Sequence, residues 1–366
     1  MARKGENIYK RKDGRWEGRW IDHYDEYGKA HYRSVYAHTY TEVREKLHQC
    51  RRQETDTNST SSRKTLQVYC EEWLATVKLK HKASTYCKYE VICRKHIVPA
   101  LGSYLISKIS TSQVEQFLTK KMFHESLSPM TVKGYLCVLK LIFTYANQNG
   151  CQTVCSFTGL SVQQKQYPMR MLSKEEQKLL SDFLCRDMNT VKLGIYLSLY
   201  TGIRIGELCA LQWKHISFEE KTLHVTATMQ RITVNELGAK TKVIITPPKS
   251  VCSNRMIPLT DSLLRLLREY KCSEEAYLLT GKTEQFMEPR ALQYHFKKCM
   301  GGCGLDDVNF HALRHIFATR CAEAGFEIRT LSEILGHSSV NITLNRYVHS
   351  SMETKRSNME KLEAIF

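Results

Sequence analysis

Residues 310–349 have the sequence FHALRHIFATRCAEAGFEIRTLSEILGHSSVNITLNRYVH. His311 and Arg314 are three positions apart, and the apolar spacing around them predicts a helix that ends at Gly325. The two side chains then lie on one face of this helix and can reach one ligand.

Two further helices are predicted in the rest of this stretch. Residues 328–335 are expected to form a helix that Gly336 ends as a C-terminal cap. His337 then begins a loop. The two serines after it can cap the next helix, which carries Tyr347.

Two histidines, an arginine and a tyrosine without a carboxylate cluster suit an anionic substrate that is handled without a metal. The guanidinium of Arg314 offers a planar fork that matches phosphate oxygens. Tyr347 is a candidate covalent nucleophile, although a phenol with a pKa of about 10 needs help to lose its proton. Phosphate chemistry of this kind still requires a second arginine and a general acid.

Two stretches earlier in the chain supply candidates for these groups. Residues 201–208, TGIRIGEL, predict a glycine-flanked turn that leads into a helix and presents Arg204 at its start. Residues 247–259, PPKSVCSNRMIPL, predict a hairpin with Lys249 near its tip and a strand that returns from Arg255 to Leu259.

The order of these residues resembles the tyrosine recombinase (integrase) family, in its phage and conjugative-transposon branch of the lambda-integrase type. The matching positions, in chain order, are Arg204 in G-x-R-x-G-E, Lys249 before R-x-I-P-L, His311-x-x-Arg314, Leu335-Gly336-His337 and Tyr347. The resemblance implies a mainly α fold with small antiparallel β-sheets. A tyrosine-recombinase catalytic fold would follow a helical core-binding (SAM-like) domain and a small three-stranded N-terminal DNA-binding domain.

The resemblance also implies an activity. The chain would be a site-specific DNA recombinase that cleaves and rejoins strands through a 3′-phosphotyrosyl intermediate, with neither metal nor cofactor. Tyr347 would be the nucleophile. Arg204 and Arg314 would bind the non-bridging phosphate oxygens and stabilise the charge that develops in the transition state.

The remaining roles follow from the same resemblance. His311 would accept the tyrosine proton or hold the phosphate, and His337 would hydrogen-bond the phosphate. Lys249 would protonate the leaving 5′ oxygen. Glu207, one helical turn after Arg204, would orient the site.

Two of these assignments have rivals in the sequence. His315 also lies within helical reach of Arg314 and competes with His311. The family pattern favours His311 and leaves His315 as a packing or hydrogen-bonding neighbour. Lys240 and Lys242 compete with Lys249, although neither lies at the tip of the predicted hairpin.

The charge of the chain agrees with a nucleic acid partner. The 366 residues contain 54 Lys and Arg against 37 Asp and Glu, a net charge of +17, which favours a polyanion. The length suffices for two or three domains. No signal peptide or apolar stretch of membrane-spanning length is found, so the sequence predicts a cytoplasmic protein without membrane association.

Fourteen cysteines without a secretory signal indicate a reducing compartment rather than a disulfide framework. Cys151 with Cys155, and Cys299 with Cys303 near His295, leave a zinc site open as an alternative. The usual C-x2-C spacing is missing, so half-buried free thiols and no metal are the expectation.

Residues 1–55 are predicted to form a small domain of three antiparallel strands and a helix. The strands are expected at 7–11, 15–24 and 30–37, and the helix at 41–53 with Thr41 as its cap. One face of the sheet is expected to hold both Tyr and Trp.

In related integrases a domain like this binds accessory arm sites, and a sheet of this size can enter the major groove. The alternative is a basic solvated face without a role. The candidate DNA contacts in this domain are Lys10, Arg11, Lys12, Arg15, Arg19 and Arg33.

Residues 56–64 form a polar Ser/Thr-rich linker, and residues 65–150 predict four helices at 66–77, 83–97, 111–124 and 129–148. Ser84, Ser110 and Ser128 lie near the expected helix starts. This segment resembles the core-binding domain of the family. Its candidate DNA contacts are Lys78, Lys80, Lys82, Lys88, Lys133 and Lys140.

Residues 151–171 are a second connector, and residues 172–366 are the expected catalytic domain with a C-terminal tail helix. Ser173 and Glu176 predict a capping box at its first helix. Residues 223–231, 242–246 and 255–259 are expected to form one small antiparallel sheet, followed by a helix at 261–270.

The tail after Tyr347 carries apolar residues on one helical stripe. It would fold back on its own domain or, as the family does, pass to a neighbouring protomer when four subunits assemble on DNA. The resemblance implies double-stranded attachment sites, core and arm, as partners, with an excision factor and a host DNA-bending protein as further partners. It also implies a location at the bacterial nucleoid.

Two other function classes remain open from the sequence. A type IB topoisomerase uses a similar set of residues to relax supercoils, although the small N-terminal sheet argues against it. A non-enzymatic DNA-binding regulator would explain the charge and the domains, but it leaves the spacing of the six positions unexplained.

Overall fold

The computed structural model of the chain describes residues 7–24, 30–49, 63–163, 170–236, 239–248, 250–306, 308–347 and 356. The chain divides into two compact units, Met1–Lys165 and Gln166–Phe366. As the sequence predicts, the structure is mainly helical with small antiparallel sheets.

The first unit begins with a three-stranded antiparallel sheet and a helix. The strands are β1 (Ile8–Lys10), β2 (Trp16–Tyr24) and β3 (Ala30–Ala37), in the order β1-β2-β3. Residues 40–49 form helix α1, whose Val43 and Leu47 are buried against the sheet. A Cβ at Gly18 would lie 2.2 Å from Leu47 Cδ1, so a glycine is needed where the helix crosses β2.

The register of this sheet separates its two faces and corrects one expectation. Trp16, Gly18 and Trp20 alternate with Glu17 and Arg19 along β2, and the tryptophans lie on the face that α1 covers. Tyr9 of β1 and Tyr36 of β3 both pair with Glu17, which faces away from the tryptophans. Tyr and Trp therefore do not share a face.

The helix α1 also begins earlier than expected. The side chain of Thr39, not Thr41, accepts a hydrogen bond from the backbone N–H of Glu42, at 3.3 Å. Thr39 is therefore the residue that caps the helix.

From Leu66 to Gln148 the first unit is mainly helical. Its α-helices are α2 (Leu66–Lys80), α3 (Ala83–Ile92), α4 (Val98–Leu101), α5 (Thr111–Thr119) and α6 (Pro129–Gln148). Two π-helical turns, Cys93–Ile97 and Lys120–His124, continue α3 and α5. A short 3₁₀ turn spans Ile106–Lys108.

The predicted caps of these helices are largely confirmed. Ser110 forms a capping box with Gln113, and Ser128 accepts a hydrogen bond from the N–H of Thr131. Ser84 is not a cap, because α3 already begins at Ala83 after Lys82. The side chains that the helices bury form one continuous apolar core.

The second unit contains the remaining helices. They are α7 (Lys174–Cys185), α8 (Thr190–Thr201), α9 (Ile205–Cys209), α10 (Asp261–Glu269), α11 (Pro289–Gly302), α12 (Phe310–Glu323), α13 (Ile328–Leu335) and α14 (Val340–Tyr347). The capping box of Ser173 and Glu176 at α7 is confirmed.

The strands of the second unit form two sheets rather than one. β4 (Ile216–Ser217), β5 (Thr222–Val225) and β8 (Arg255–Pro258) are antiparallel in the order β4-β5-β8. Among the described strands, β6 (Thr228–Glu236) pairs with β7 (Ala239–Thr246) alone. The prediction of a single sheet was therefore wrong.

The same pairing overturns the hairpin predicted for residues 247–259. Two prolines follow β7, and since proline cannot donate to a ladder, the chain leaves the β6–β7 sheet there. It then forms a 3₁₀ turn at Val251–Ser253 and joins the other sheet as β8. Lys249 lies outside the described residues.

Of the helices in the described part of the chain, none combines the length and the apolar character that crossing a bilayer requires.

Candidate active site

Arg204 lies at the start of α9, where the sequence predicts it. The left-handed Gly202 ends α8, and Arg204 becomes the N-cap of the next helix. Its backbone N–H donates to Glu207 Oε2 at 3.0 Å, and its Nη1 donates to Glu207 Oε1 at 2.7 Å. The guanidinium is therefore held by a carboxylate one turn further along the same helix.

Arg314 comes from α12 and is buried, with 3% of its surface exposed. Its Nη1 donates to the carbonyl oxygen of Gly202 at 2.9 Å, and its Nη2 donates to the carbonyl oxygen of Leu335. Arg314 therefore links the end of α8 to the end of α13, next to the segment that carries His337.

The C-terminal end of α13 is the point where the site converges. Its last carbonyl groups have no partner within the helix and carry partial negative charge. Three consecutive carbonyl oxygens accept from three different arginines. Ile334 accepts from Arg255 Nε at 2.6 Å, Leu335 from Arg314, and Gly336 from Arg204 Nη2 at 3.2 Å.

Gly336 ends α13 in the left-handed conformation predicted for it, with φ at +64°. A Cβ there would lie 2.8 Å from Arg255 Cδ and 2.9 Å from the carbonyl oxygen of Cys252. Both the backbone angle and the close approach of β8 therefore require a glycine.

Glu207 and Arg255 form a buried ion pair beneath this turn. Arg255 Nη1 and Nη2 donate to the two carboxylate oxygens at 3.1 and 2.9 Å, and both side chains are about 95% buried, with 5% and 4% exposed. Burial by itself raises the pKa of the Glu207 carboxyl. The hydrogen bonds and charge of Arg255, with the charge of Arg204, outweigh burial and hold this pKa below its usual value.

His337 follows the turn and is oriented by α14. Its Nδ1 lies 2.8 Å from the hydroxyl oxygen of Thr343, which is completely buried. Ser339 caps α14 by accepting from the N–H of Asn341 at 3.3 Å, as predicted for one of the two serines. Tyr347 is the last residue of α14, and Thr343 lies one turn before it along the backbone.

His311 lies in the first turn of α12 and is exposed. Its ring packs edge-to-face on the ring of its rival His315, with centroids 4.8 Å apart. This contact agrees with the reading of His315 as a packing neighbour. Both rings lie on the helix that carries Arg314.

The structure thus brings Arg204, Glu207 and Arg314 together with the segment of His337. It adds Arg255, which the sequence analysis named only as the start of a strand. The sequence contained a signal, because Arg255 is spaced by two residues from Ile257 and by four from Leu259 in a predicted strand. The structure shows all three buried, alternating with exposed residues. An arginine on the inward face of a strand needs a buried partner.

The positions of the cysteines and histidines do not support the alternative of a zinc site. Within the described ranges, no group of three or more His, Cys, Asp or Glu side chains is placed to hold a metal ion. Cys151 and Cys155 are buried, and Cys299 and Cys303 are half-buried.

The basic residues nominated as DNA contacts are all solvent-accessible, with only Lys140 half-buried. Three of them cluster on the open face of the N-terminal sheet. Arg11 and Arg15 lie over the ring of Tyr36, at 5.5 and 5.9 Å from its centroid. Arg19 donates to Glu17 at 2.7 Å.

Glu17 lies at the centre of this cluster and is 5% exposed. It accepts from Arg11 at 3.0 Å and from Ser34 at 2.9 Å, in addition to Arg19. The hydrogen bond from Arg19 holds the pKa of the Glu17 carboxyl below its usual value. Lys10 and Arg33, in contrast, pair in register with the two tryptophans of the other face.

Comparison with known proteins identifies the family of the chain. The description "Phage integrase family" matches residues 170–354, and "Phage integrase, N-terminal SAM-like domain" matches residues 65–122. A XerC-like tyrosine recombinase of Caldanaerobacter subterraneus is 30% identical over 329 residues, which cover 82% of this chain and 83% of that protein. The transposase of transposon Tn916 from Enterococcus faecalis is 24% identical, over 81% of this chain and 76% of the transposase.

Solved structures share the fold. The integrase of transposon Tn1549 bound to a circular intermediate DNA has a TM-score of 0.66 at 22% identity, over 82% of this chain and 99% of that one. A lambda integrase tetramer bound to a Holliday junction has a TM-score of 0.59 at 17% identity, over 94% and 98% of the two chains.

These findings show that the protein is one of the enzymes that break and rejoin DNA strands. The chain belongs to the phage integrase family and is a tyrosine recombinase, a site-specific DNA recombinase related to the integrases of mobile elements. The matches favour neither of the two alternative function classes.

A first prediction concerns the turn before His337. We expect Gly336→Ala to lower the free energy of unfolding by about 1–3 kcal/mol from the backbone strain alone, and further through the clash with Arg255. Gly304→Ala is the matched control, because Gly304 has a φ of +67° but nothing within 4 Å of a Cβ. Urea denaturation measures both. An equal loss of unfolding free energy in the two variants would contradict the close approach of Arg255 to Gly336.

A second prediction concerns the pH dependence of the buried pair. We expect Glu207→Gln to cost about 3–5 kcal/mol of stability at pH 7, because Arg255 is left buried without its counter-charge. The pKa of Glu207 is lowered by folding. Its contribution is therefore complete above the unfolded value of about 4.3 and is lost as the pH falls through the folded value.

The difference between wild type and Glu207→Gln should accordingly shrink in urea denaturation below about pH 4. Glu284→Gln, which removes an exposed carboxylate of the same unit, is the control and should stay within about 0.5 kcal/mol of wild type. A difference that does not change with pH would show that folding does not lower the pKa of Glu207.

Proposed function

We propose that Tyr347 is the nucleophile of DNA strand cleavage. Its phenolic oxygen attacks the scissile phosphorus, the bond to the 5′ oxygen breaks, and a 3′-phosphotyrosyl link forms. The 5′ hydroxyl of another strand then attacks this link and releases the tyrosine. Each phosphate ester is exchanged for another, so rejoining needs no outside source of energy.

The observation that carries this proposal is the convergence of Arg204 and Arg314 on the end of α13. Their guanidiniums donate to the adjacent carbonyl oxygens of Gly336 and Leu335, directly before His337. We propose that the two forks bind the non-bridging oxygens of the phosphate. Their positive charge would stabilise the transition state, which is usually the largest catalytic contribution.

The histidines and a lysine complete the proposed chemistry. His311 would take the proton of the tyrosine or hold the phosphate, and its exposed position in the first turn of α12 supports access to substrate. His337 would donate to the phosphate through Nε2, because Nδ1 is engaged with Thr343. Lys249 would protonate the leaving 5′ oxygen.

We propose that the enzyme integrates and excises a mobile element or prophage. The relatives named for transposon Tn916 and transposon Tn1549 support this substrate class. The proposed domains are an arm-binding domain at 1–55, a linker at 56–64, a core-binding domain at 65–150, a connector at 151–171 and a catalytic domain at 172–366.

We propose double-stranded attachment DNA as the partner of both basic regions. Lys78 lies at the junction of α2 and α3, with Nζ 5.9 Å from the centroid of the Tyr86 ring. That position suits a core-site contact, together with Lys80, Lys82, Lys88, Lys133 and Lys140. The cluster of Arg11, Arg15 and Arg19 would contact arm DNA. Lys10, Lys12 and Arg33 are further candidates, of which Lys10 and Arg33 belong to the other face of the sheet.

The proposed assembly on DNA is a tetramer. The lambda integrase tetramer on a Holliday junction, which shares the fold, supports it. Exchange of the C-terminal tail between protomers falls on residues outside the described ranges and stays a proposal. An excision factor, a host DNA-bending protein and a place of action at the nucleoid in the bacterial cytoplasm are also proposals.

Cleavage of a nicked duplex that spans the attachment-site crossover tests the proposed chemistry. We expect wild type to form a covalent protein–DNA adduct that is visible as a band of reduced mobility in a denaturing gel. Tyr347→Phe should form none, because it lacks the attacking oxygen. Tyr200→Phe, which changes a tyrosine on α8, is the matched control and should form the adduct at the wild-type rate.

Peptide mapping of the wild-type adduct then identifies the linked residue. An adduct that persists in Tyr347→Phe would move the nucleophile to another tyrosine. Specific DNA binding without any adduct in wild type would overturn the proposed cleavage chemistry.

A further prediction concerns the N-terminal sheet. Removing a negative charge ordinarily strengthens binding to DNA. We expect Glu17→Gln to weaken it by about tenfold, because Arg11 and Arg19 lose the carboxylate that orders them on the open face. The measurement is a mobility-shift titration of the full chain on arm duplexes selected from a random-sequence library.

Glu45→Gln is the control for this prediction. Glu45 is an exposed carboxylate of α1 in the same domain, and its loss should leave affinity unchanged or slightly higher. Tighter binding by Glu17→Gln would contradict the ordering of the arginines. Equal binding by a chain without residues 1–55 would contradict the arm-binding domain itself.

A further inference from the structure

Arg255 occupies the centre of the site, yet the proposed chemistry gives it no task. We propose that Arg255 is a positioning residue of strand cleavage, which fixes Arg204 and the turn before His337 relative to each other. The inference rests on the function proposed for Arg204 and His337. It concerns a residue outside the six positions that the family pattern singles out.

The hydrogen bonds of Arg255 leave it little capacity to bind substrate. Its Nε donates to Ile334, its Nη2 to Glu207, and its Nη1 to both Glu207 and the carbonyl of Ser253 at 3.2 Å. Four of the five N–H groups of a guanidinium are therefore engaged. Because these groups take up its donors, Arg255 acts through its neighbours.

The neighbour on one side is Glu207, which Arg255 shares with Arg204. Glu207 Oε1 accepts from Arg204 Nη1 at 2.7 Å and from Arg255 Nη1 at 3.1 Å. Arg204 is about one-third exposed and Glu207 is buried. Arg255 thus holds the Glu207 carboxylate in place, and this carboxylate in turn orients the more exposed Arg204.

The neighbour on the other side is the left-handed turn at the end of α13. Arg255 Nε donates to the carbonyl oxygen of Ile334, and a Cβ at Gly336 would lie 2.8 Å from Arg255 Cδ. His337 is the next residue. One planar guanidinium therefore sets the distance between the start of α9 and the turn that presents His337.

Energetics favour a positioning role over simple stabilisation. Replacing a buried ion pair with well-packed apolar residues is often neutral or stabilising, so such a pair is weak evidence for a contribution to stability. What an apolar contact cannot supply is direction. The fork of Arg255 fixes both Glu207 oxygens and a helix carbonyl in one plane, and a lysine at this position could not.

The experiment compares Arg255→Lys and Arg255→Met with wild type in single-turnover cleavage of the nicked crossover duplex at saturating protein. We expect both variants to cleave about 10- to 100-fold more slowly, because small misplacements of catalytic groups have effects of this size. Their affinity for the duplex should change by less than about threefold. Arg265→Met removes an exposed arginine of α10 and is the control for loss of one charge.

A second substrate separates positioning from loss of folded protein. In a methylphosphonate duplex, one non-bridging oxygen of the scissile phosphate is replaced by methyl, which removes the charge that Arg204 neutralises. The defect of the Arg255 variants should therefore shrink by about tenfold or more on this substrate. A smaller folded fraction would reduce cleavage of both substrates equally.

Two results would overturn the inference while the proposed function stands. One is an Arg255→Lys variant that cleaves at the wild-type rate. This variant retains the positive charge, so it serves as the test even if Arg255→Met does not fold. The other is an equal defect on the two substrates. Absence of an adduct in wild type would instead remove the proposed function, and the inference with it.

Discussion

The end of α13 imposes the constraint around which the catalytic unit is built. A helix that ends inside a protein leaves carbonyl oxygens that must find donors. Here the oxygens of Ile334, Leu335 and Gly336 find three arginines, which come from β8, α12 and the start of α9. Segments more than a hundred residues apart in the chain are therefore brought to one turn by a local shortage of donors.

Three guanidiniums at one turn would repel each other without a compensating negative charge. The partial charge of the helix end supplies part of it, and Glu207 supplies a full charge. The lowered pKa of Glu207 shows that its partners outweigh the penalty of burying a carboxylate. In the proposed function, the cations are thus held in place before a phosphate arrives, which lowers the cost of ordering them on binding.

Features fixed by neighbouring residues were predictable from the sequence, and features fixed by distant ones were not. The cap at Gly336 and the box of Ser173 and Glu176 depend on a few residues of local sequence, and both were predicted. The pairing of β8 with β5 joins strands some thirty residues apart, and it was missed. Glu207 and Ile334, which bind Arg255, lie 48 and 79 positions away from it, so the sequence around Arg255 indicates only that it faces inward.

The order of the six family positions predicted the site, whereas the groups that hold Arg204, Arg314 and His337 are visible only in the structure. A chain with a net charge of +17 is expected to direct cations outward and to keep them apart. In the described part of the chain the buried carboxylates, Glu17, Glu90 and Glu207, each form an ion pair with at least one arginine. In this basic protein the few buried acids therefore order some of the many arginines, whereas backbone carbonyl oxygens hold Arg314.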